Sequence, residues 1–499
     1  MPPPSACFLG IDVARDGLSL VILSATGEVI ATLERSYSTN PGPTTDPQDW
    51  WRAARTGIKE ILRRSGKPAN AIRCIGVTGD STGVVCLAKD GRVLCPTVLG
   101  ADVRTGAQVE QLVRTVGLRN LLNLASGPAT ESSPAVKLLW LRDNERRVWH
   151  DTAHLLQPKD FLRFRLTEAL ATDPSDAAAT LLFSPRGRTW SKQLLTLLDI
   201  NPAWLPAVAA GQAIAGRVST DAARETGLQA GTPVITGASH IASVAVAVGA
   251  LQPGAAMIEL GGEGSFFMPT ADAVRDPQGR LISTCHTVAG TWALAGSGFA
   301  SGGAISWLTD QVLTAEVAQA RRAKRDPLDL LAELAAEVPP GADGLLFLPP
   351  GLHTIAGFVG LSYAHRRGHL VRAVLESGAL ALRQALDSAA EIKRRPERIT
   401  VTGAFAGNTL WCQILADALD HTIHALPCGN SSAIGAAMLA SSAVGIHKGI
   451  EEACAKMVKT KGVHHPRKAA TEAYSSLLPS LARFSPAAAR TAAALEATA

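Results

Sequence analysis

Apolar residues recur along the chain with two different periods, and the changes of period mark out the elements. Cys7 to Val13 is a mostly apolar run closed by Arg15-Asp16-Gly17, and Leu18 to Leu23 follows as its partner strand. Asp-Gly between two such runs predicts a tight hairpin of type I′, whose central residues need positive φ. Thr26-Gly27 turns the chain again into Val29 to Leu33. The period then becomes helical. Trp50, Ala54, Ile58, Ile61 and Leu62 share one face, behind Asp46 as N-cap and Pro47 in the first helical position. Ile72 to Val77 is the next strand.

Around Pro233 the pattern restarts. Val234-Ile235-Thr236 reads as a short strand and Ile241 to Val248 as a small-residue helix. Ala256 to Leu260 then runs through the turn Gly261-Gly262-Glu263-Gly264 into the strand Ser265 to Met268. Further on, Leu375, Ala379, Leu382 and Leu386 recur at helical spacing, with Glu376, Arg383 and Asp387 expected off that stripe. Ile399 to Thr402 is a strand leading through a Gly403 loop to a helix carrying Leu410, Ile414 and Leu419. The prediction is two α/β lobes, each opening on a strand–turn–strand unit, joined near residues 240–250, with a frayed tail from Pro486.

Composition narrows the function classes. The 499 residues are 46% hydrophobic and 18% charged, which excludes disordered, collagen-like and coiled-coil chains. The net charge of +5 is spread without a basic stripe, so no nucleic-acid partner is expected. Eight cysteines without a C-x-x-C pair suit a reducing compartment. The N-terminus lacks the basic and apolar regions of a signal peptide, and the two uncharged stretches are broken by glycines. A cytoplasmic protein with no membrane partner is expected, and a homodimer is compatible with it.

Two segments then carry a resemblance. Ser132-Ser133-Pro134-Ala135-Val136-Lys137 through Asn144, and Ala356-Gly357-Phe358-Val359-Gly360 through Glu376, resemble the two diagnostic segments of the FGGY family of carbohydrate kinases. Pro158-Lys159-Asp160-Phe161 and Thr172-Asp173-Pro174-Ser175-Asp176-Ala177 are similar to stretches of its xylulokinase-like members. The similarity runs in order from about Phe8 to Leu481. It implies an α/β fold of two ribonuclease-H-like lobes, of the actin/hexokinase/Hsp70 type, around a central cleft. Residues 1–245 would be the sugar-side domain, 246–485 the nucleotide-side domain and 486–499 a flexible tail. The implied reaction transfers the γ-phosphoryl group of ATP, with Mg, to a hydroxyl of a small sugar or polyol.

Carried over position by position, the resemblance exposes substitutions. The first phosphate turn, Asp-x-Gly-Thr in the family, is Asp12-Val13-Ala14-Arg15: Asp12 keeps the metal-side carboxylate, and Arg15 would either hold phosphate or be a solvated turn residue. The second, Gly-Thr-Ser, is Gly261-Gly262-Glu263, where the carboxylate of Glu263 repels a nucleotide unless it pairs with Arg15. The base Asp of Gly-Gly-Gly-Asp is replaced by His240, which can accept a hydroxyl proton or be a hydrogen-bonded remnant. The adenosine loop reads Gly403-Ala404-Phe405-Ala406-Gly407-Asn408, with Phe405 either stacking on the base or plugging its place. Gly351-Leu352-His353 stands where the family has Gly-Glu-Arg. On the sugar side, Asp80, Ser81, Thr82, Asp102 and Arg104 form a polar lining, while Gly100 replaces an aromatic wall.

Three functions fit this set: an active kinase with Asp12 on the metal, Arg15 on phosphate and His240 as base; a pseudokinase that binds a sugar-like ligand or a partner; or another chemistry in the same cleft. Gly79-Asp80-Ser81-Thr82-Gly83 also fits the hydrolase elbow G-x-S-x-G, and His365 and His369 have metal-ligand spacing on a helix. His464-His465 is expected to be solvated.

Overall fold

The first hairpin is where the apolar runs put it. In a computed structural model describing residues 6–37, 44–299, 301–349 and 356–481, β1 (Cys7–Val13) pairs antiparallel with β2 (Gly17–Ser24), and β2 with β3 (Val29–Ser36). The connecting turn differs from expectation. Arg15 and Asp16 are central in it, Ala14 N–H donates to the Gly17 carbonyl at 3.0 Å, and neither they nor Gly17 takes a positive φ. A hydroxyl holds the turn instead: Tyr37 donates to the carbonyls of Ala14 (3.0 Å) and Gly17 (2.8 Å). Gly17 is required by space, since a Cβ there would lie 2.7 Å from the Arg35 carbonyl of β3.

α1 (Pro47–Ser65) starts as its cap signals, with Asp46 accepting from the Gln48 N–H at 2.9 Å, and ends at Gly66 with φ 62°. Trp50, Ala54, Ile58 and Ile61 are buried on its inner face against β1 and β2 residues such as Leu18 and Leu20. β4 (Ile72–Gly79) lies parallel to β1. The sheet is completed by β5 (Ile214–Arg217), β6 (Pro233–Ile235) and β7 (Ala238–Ser239), in the order β5-β6-β4-β1-β2-β3 with β7 also on β4. Four helices matter for the site: α2 (Pro134–Asn144), α3 (Pro158–Thr167), the short α4 (Pro174–Ala178) and α5 (His240–Ala247).

The second sheet repeats the opening. β8 (Ala255–Glu259) pairs antiparallel with β9 (Ser265–Thr270) and parallel with β10 (Arg398–Thr402). β11 (Ile423–Ala425) and β12 (Gly462–His464) extend it in the order β9-β8-β10-β11-β12. α6 (Arg367–Glu391) and α7 (Thr409–Leu419) pack together. On α6 the expected stripe is buried, but Glu376 is not off it: the residue is 1% exposed. Its carboxylate accepts from Arg372 Nε at 2.6 Å, the Tyr474 hydroxyl at 2.8 Å and the Gly341 N–H at 3.0 Å. The helix is covered on more than one side, so a carboxylate with three donors can be buried there.

α8 (Ser431–Ala443) then lies on β1, β4 and α5. Glycine marks each crossing. A Cβ on Gly10 of β1 would lie 1.8 Å from the Ala433 carbonyl oxygen, one on Gly76 of β4 1.9 Å from that of Ala436, and one on Gly435 of α8 1.8 Å from that of Ser243 on α5. The chain accordingly divides into two compact units. The first comprises the residues through Pro253, Pro269–Leu294 and Asn430–Val458; the second comprises Gly254–Met268, Ala295–Gly429 and the chain from Lys459. The tail from Pro486 and the Gly351-Leu352-His353 segment lie outside the described residues.

Candidate active site

Asp12 is the last residue but one of β1 and His240 the first of α5, and the two meet. His240 Nδ1 is 3.2 Å from Asp12 Oδ2, which also accepts from the Ser432 hydroxyl at 2.6 Å. Asp12 is 3% exposed. Burial by itself would raise its carboxyl, but the imidazole and the hydroxyl bring it below the ordinary carboxylate value. An ionised Asp12 only accepts, so the Nδ1 that faces it carries a proton. Asp12 Oδ1 is buried without a hydrogen-bond partner.

The turn that carries His240 is anchored from beneath. Gly237 takes φ +89°, and a Cβ there would lie 2.1 Å from the Val77 carbonyl, so the retained glycine lets the turn lie on β4. Ser239 N–H donates to Ser175 Oγ at 2.9 Å, and Arg163 Nη1 donates to the Thr236 carbonyl at 2.9 Å. Ser175 and Arg163 belong to a buried ionic cluster on α3 and α4. Lys159 Nζ lies 2.6 Å from Asp160, 3.1 Å from Asp173 and 3.1 Å from Asp176, and Arg163 lies 2.8 Å from Asp160. Three carboxylates face two cations, and the Asp176 carboxyl is pushed up to about 7 by burial, with Asp160 and Asp173 adding to it against Lys159. An interaction with Ser81 opposes that rise. Among the described residues no histidine hydrogen-bonds to Ser81, so the hydrolase elbow finds no support.

The loops around Thr82 and around Val98 and Gly100 are knitted together by Lys137 of α2. Its ammonium donates to the carbonyls of Thr82 (2.8 Å), Val98 (3.0 Å) and Gly100 (2.6 Å). Thr82 bonds Asp80 through both its N–H and its hydroxyl, and accepts from the Gly100 N–H at 2.6 Å. Gln157 holds the Ser81 carbonyl at 2.7 Å. Asp102 and Arg104 satisfy each other by two bonds of 2.8 and 2.7 Å, with the guanidinium over Trp140. Asp80, Ser81, Thr82, Asp102 and Arg104 therefore sit on loops joined through one lysine. Arg15 is exposed, and its guanidinium lies against Gly100.

Glu263 belongs to the second unit, unlike Arg15. There, Gly261, Gly262 and Glu263 form the turn between β8 and β9, with Glu263 exposed. Gly303 N–H donates to the Gly262 carbonyl at 2.7 Å. Gly403 takes φ +98° against the Leu260 carbonyl, which also receives the Phe405 N–H, while Ala404 is exposed. The Phe405 ring packs on Trp411 at 5.2 Å and lines a pocket with Ile305, Leu331, Val371 and Leu375. Asn408 caps α7 through the Trp411 N–H at 2.9 Å. Gly261, Gly262, Gly403 and Phe405 thus gather around the end of β8.

His365, His369 and His465 have local partners. His369 Nε2 pairs with Asp343 at 3.0 Å and its Nδ1 accepts the Arg366 N–H, while His365 Nδ1 accepts the Ser362 N–H at 2.9 Å. His465 lies 3.2 Å from the Thr422 hydroxyl. Among the described residues no three His, Cys, Asp or Glu side chains gather where a metal ion could be held. Sequence reasoning missed Ser432, Tyr37, Ser175 and Lys137 as parts of this region. Only Lys137, a buried cation in the apolar stretch from Pro134 to Leu141, carried a signal.

Models of the N-terminal and C-terminal domains of the FGGY family of carbohydrate kinases match residues 7–247 and 260–444. The chain is similar to xylulose kinase of Staphylococcus epidermidis, 27% identical over 471 residues and 92% of each chain. It is 29% identical to xylulose kinase of Escherichia coli over 462 residues, 89% of this chain and 92% of that one. The crystal structure of xylulose kinase from Rhodospirillum rubrum superposes with a TM-score of 0.84 at 30% identity, covering 96% of this chain and 98% of that chain.

Proposed function

Because the chain belongs to the FGGY family of carbohydrate kinases, we propose that it transfers the γ-phosphoryl group of ATP to a hydroxyl of a small ketose or polyol-like sugar, with His240 as the base. The observation that carries the reading is the 3.2 Å contact of His240 with Asp12. A carboxylate that accepts a hydrogen bond from Nδ1–H fixes the tautomer and stabilises the imidazolium formed when Nε2 accepts the hydroxyl proton. Xylulose, the substrate named for the relatives, is the first acceptor to try.

The sugar is assigned to the loops bearing Asp80, Ser81, Thr82, Asp102 and Arg104, and the nucleotide to Gly261, Gly262, Gly403 and Ala404. Asp12 fits a magnesium ion, because its buried Oδ1 lacks a partner and Mg²⁺ needs only one or two carboxylates beside water and phosphate. When bound, the ion supplies positive charge to the phosphates. Asp12 would hold it through Oδ1 while Oδ2 stays with His240 and Ser432. A cytoplasmic location is supported by eight free cysteines, and no helix among the described residues is long and apolar enough to cross a membrane.

A second reading, a sugar-binding protein without phosphoryl transfer, is favoured by one feature. Glu263 sets a negative charge on the turn assigned to the phosphates. Calorimetric titration with Mg-ATP, followed by a coupled ADP-release assay over ketoses and polyols, separates the two. Heat of binding and turnover support the kinase; neither heat nor turnover at millimolar ATP leaves the second reading.

A further inference from the structure

Two cations flank Gly100. Lys137 Nζ reaches its carbonyl at 2.6 Å, while the Arg15 guanidinium covers the face where a side chain would stand. A Cβ built on Gly100 would lie 3.0 Å from Arg15 Nη1 and 3.4 Å from Cζ, and the backbone there has φ +75°. A planar cation has taken the room of the aromatic wall.

The buried charges around it are already committed. Lys137 uses its ammonium on three carbonyls, and Arg104 is closed onto Asp102. Asp80 is held by Thr82, Asp12 by His240 and Ser432, and Asp16 is exposed in the turn. Among the described residues Arg15 makes no hydrogen bond or ion pair. Burial pushes the Lys137 ammonium down to about 8, Asp80 and Asp102 oppose that, and Arg15 adds repulsion of its own. An anion bound by Arg15 would relieve that repulsion.

We propose that Arg15 makes this a site for acidic sugars: its guanidinium, over Gly100, receives the carboxylate of a small polyhydroxy acid. The proposal rests on the assignment of the sugar to the 79–83 and 100–104 loops. The guanidinium fork matches a carboxylate through two parallel bonds, and a neutral hydroxyl cannot match it in that way.

Calorimetric titration of the full chain without nucleotide tests it, using xylonate against xylitol. The expected result is xylonate bound at least about tenfold tighter than xylitol, weakening with salt. Arg15→Gln should cut xylonate affinity at least about tenfold and leave xylitol and Mg-ATP within about threefold. Arg15 is exposed, and an unchanged melting temperature of the variant verifies its fold. Xylonate bound no tighter than xylitol, including no binding of either, overturns the proposal. So does an Arg15→Gln variant that loses Mg-ATP affinity and keeps xylonate, which would put the guanidinium on nucleotide phosphate. Xylonate binding without ADP release from any acceptor would instead overturn the kinase reading and leave this one standing.

Discussion

His240 and Asp12 lie 228 residues apart in sequence, and their side chains meet at 3.2 Å. The carboxylate is buried, the imidazole stands at the first turn of α5, and Ser432 adds a third member from near the far end of the chain. In this arrangement a buried carboxylate orients an imidazole.

If His240 takes the acceptor proton, His240→Ala lowers kcat by about two to four orders of magnitude with little change in sugar KM. His240→Asp, which restores a carboxylate base, retains more activity than the alanine variant. Steady-state kinetics of the three proteins decide it, and an unchanged kcat in His240→Ala removes the base role.

Ser432→Ala takes one donor from a buried carboxylate. A loss of about 1–3 kcal/mol in urea unfolding is expected. Asp12 titrates below its ordinary value, so its contribution is present above that value and is lost as pH falls through the depressed one. Without the serine, that loss ends at higher pH. Unfolding free energies of both proteins across the acid range show whether it does.

The sign is opposite for Asp176. Its carboxyl is raised from 3.8 to about 7, so its contribution is complete below about pH 4 and disappears as pH rises through about 7. Asp176→Asn is close to the protonated form in shape and removes this titration. Melting temperatures of the variant should fall less between those pH values than those of the parent, and parallel curves would refute the assignment.

Gly10→Ala drives a methyl to 1.8 Å from a backbone carbonyl of α8, which only movement of the helix can relieve. A loss of at least about 3 kcal/mol in unfolding free energy is expected, or no folded protein. Gly66→Ala meets nothing within 4 Å and has only the strain of φ +62° to bear, so it should cost less.

Much of this was legible along the chain because it is local. Asp46 and Pro47 start a helix through their own backbone chemistry, and the runs at Cys7 and Ala256 become strands beside their neighbours. Asp12 and His240 could be picked out by resemblance, since their segments are continuous. What remained hidden depends on distant partners. Ser432 meets Asp12 from 420 positions away. Glu376 looks like a surface residue until Tyr474, 98 positions on, arrives to bond it. The first turn was misjudged for the same reason, because the Tyr37 hydroxyl fixes it from outside. No periodicity in Ala14-Arg15-Asp16 could say that the guanidinium would lie on Gly100.

The return of residues 430–458 to the first unit reverses the order in which the chain is made and the order in which it can be finished. A nascent chain that has emerged only as far as Gly429 presents β1 and β4 with their glycine grooves unfilled, and Asp12 without its serine. The unit begun first must wait for most of the second to leave the ribosome. A premature stop or a proteolytic cut between them would spoil both, and a gene divided at the midpoint would not yield two independent halves.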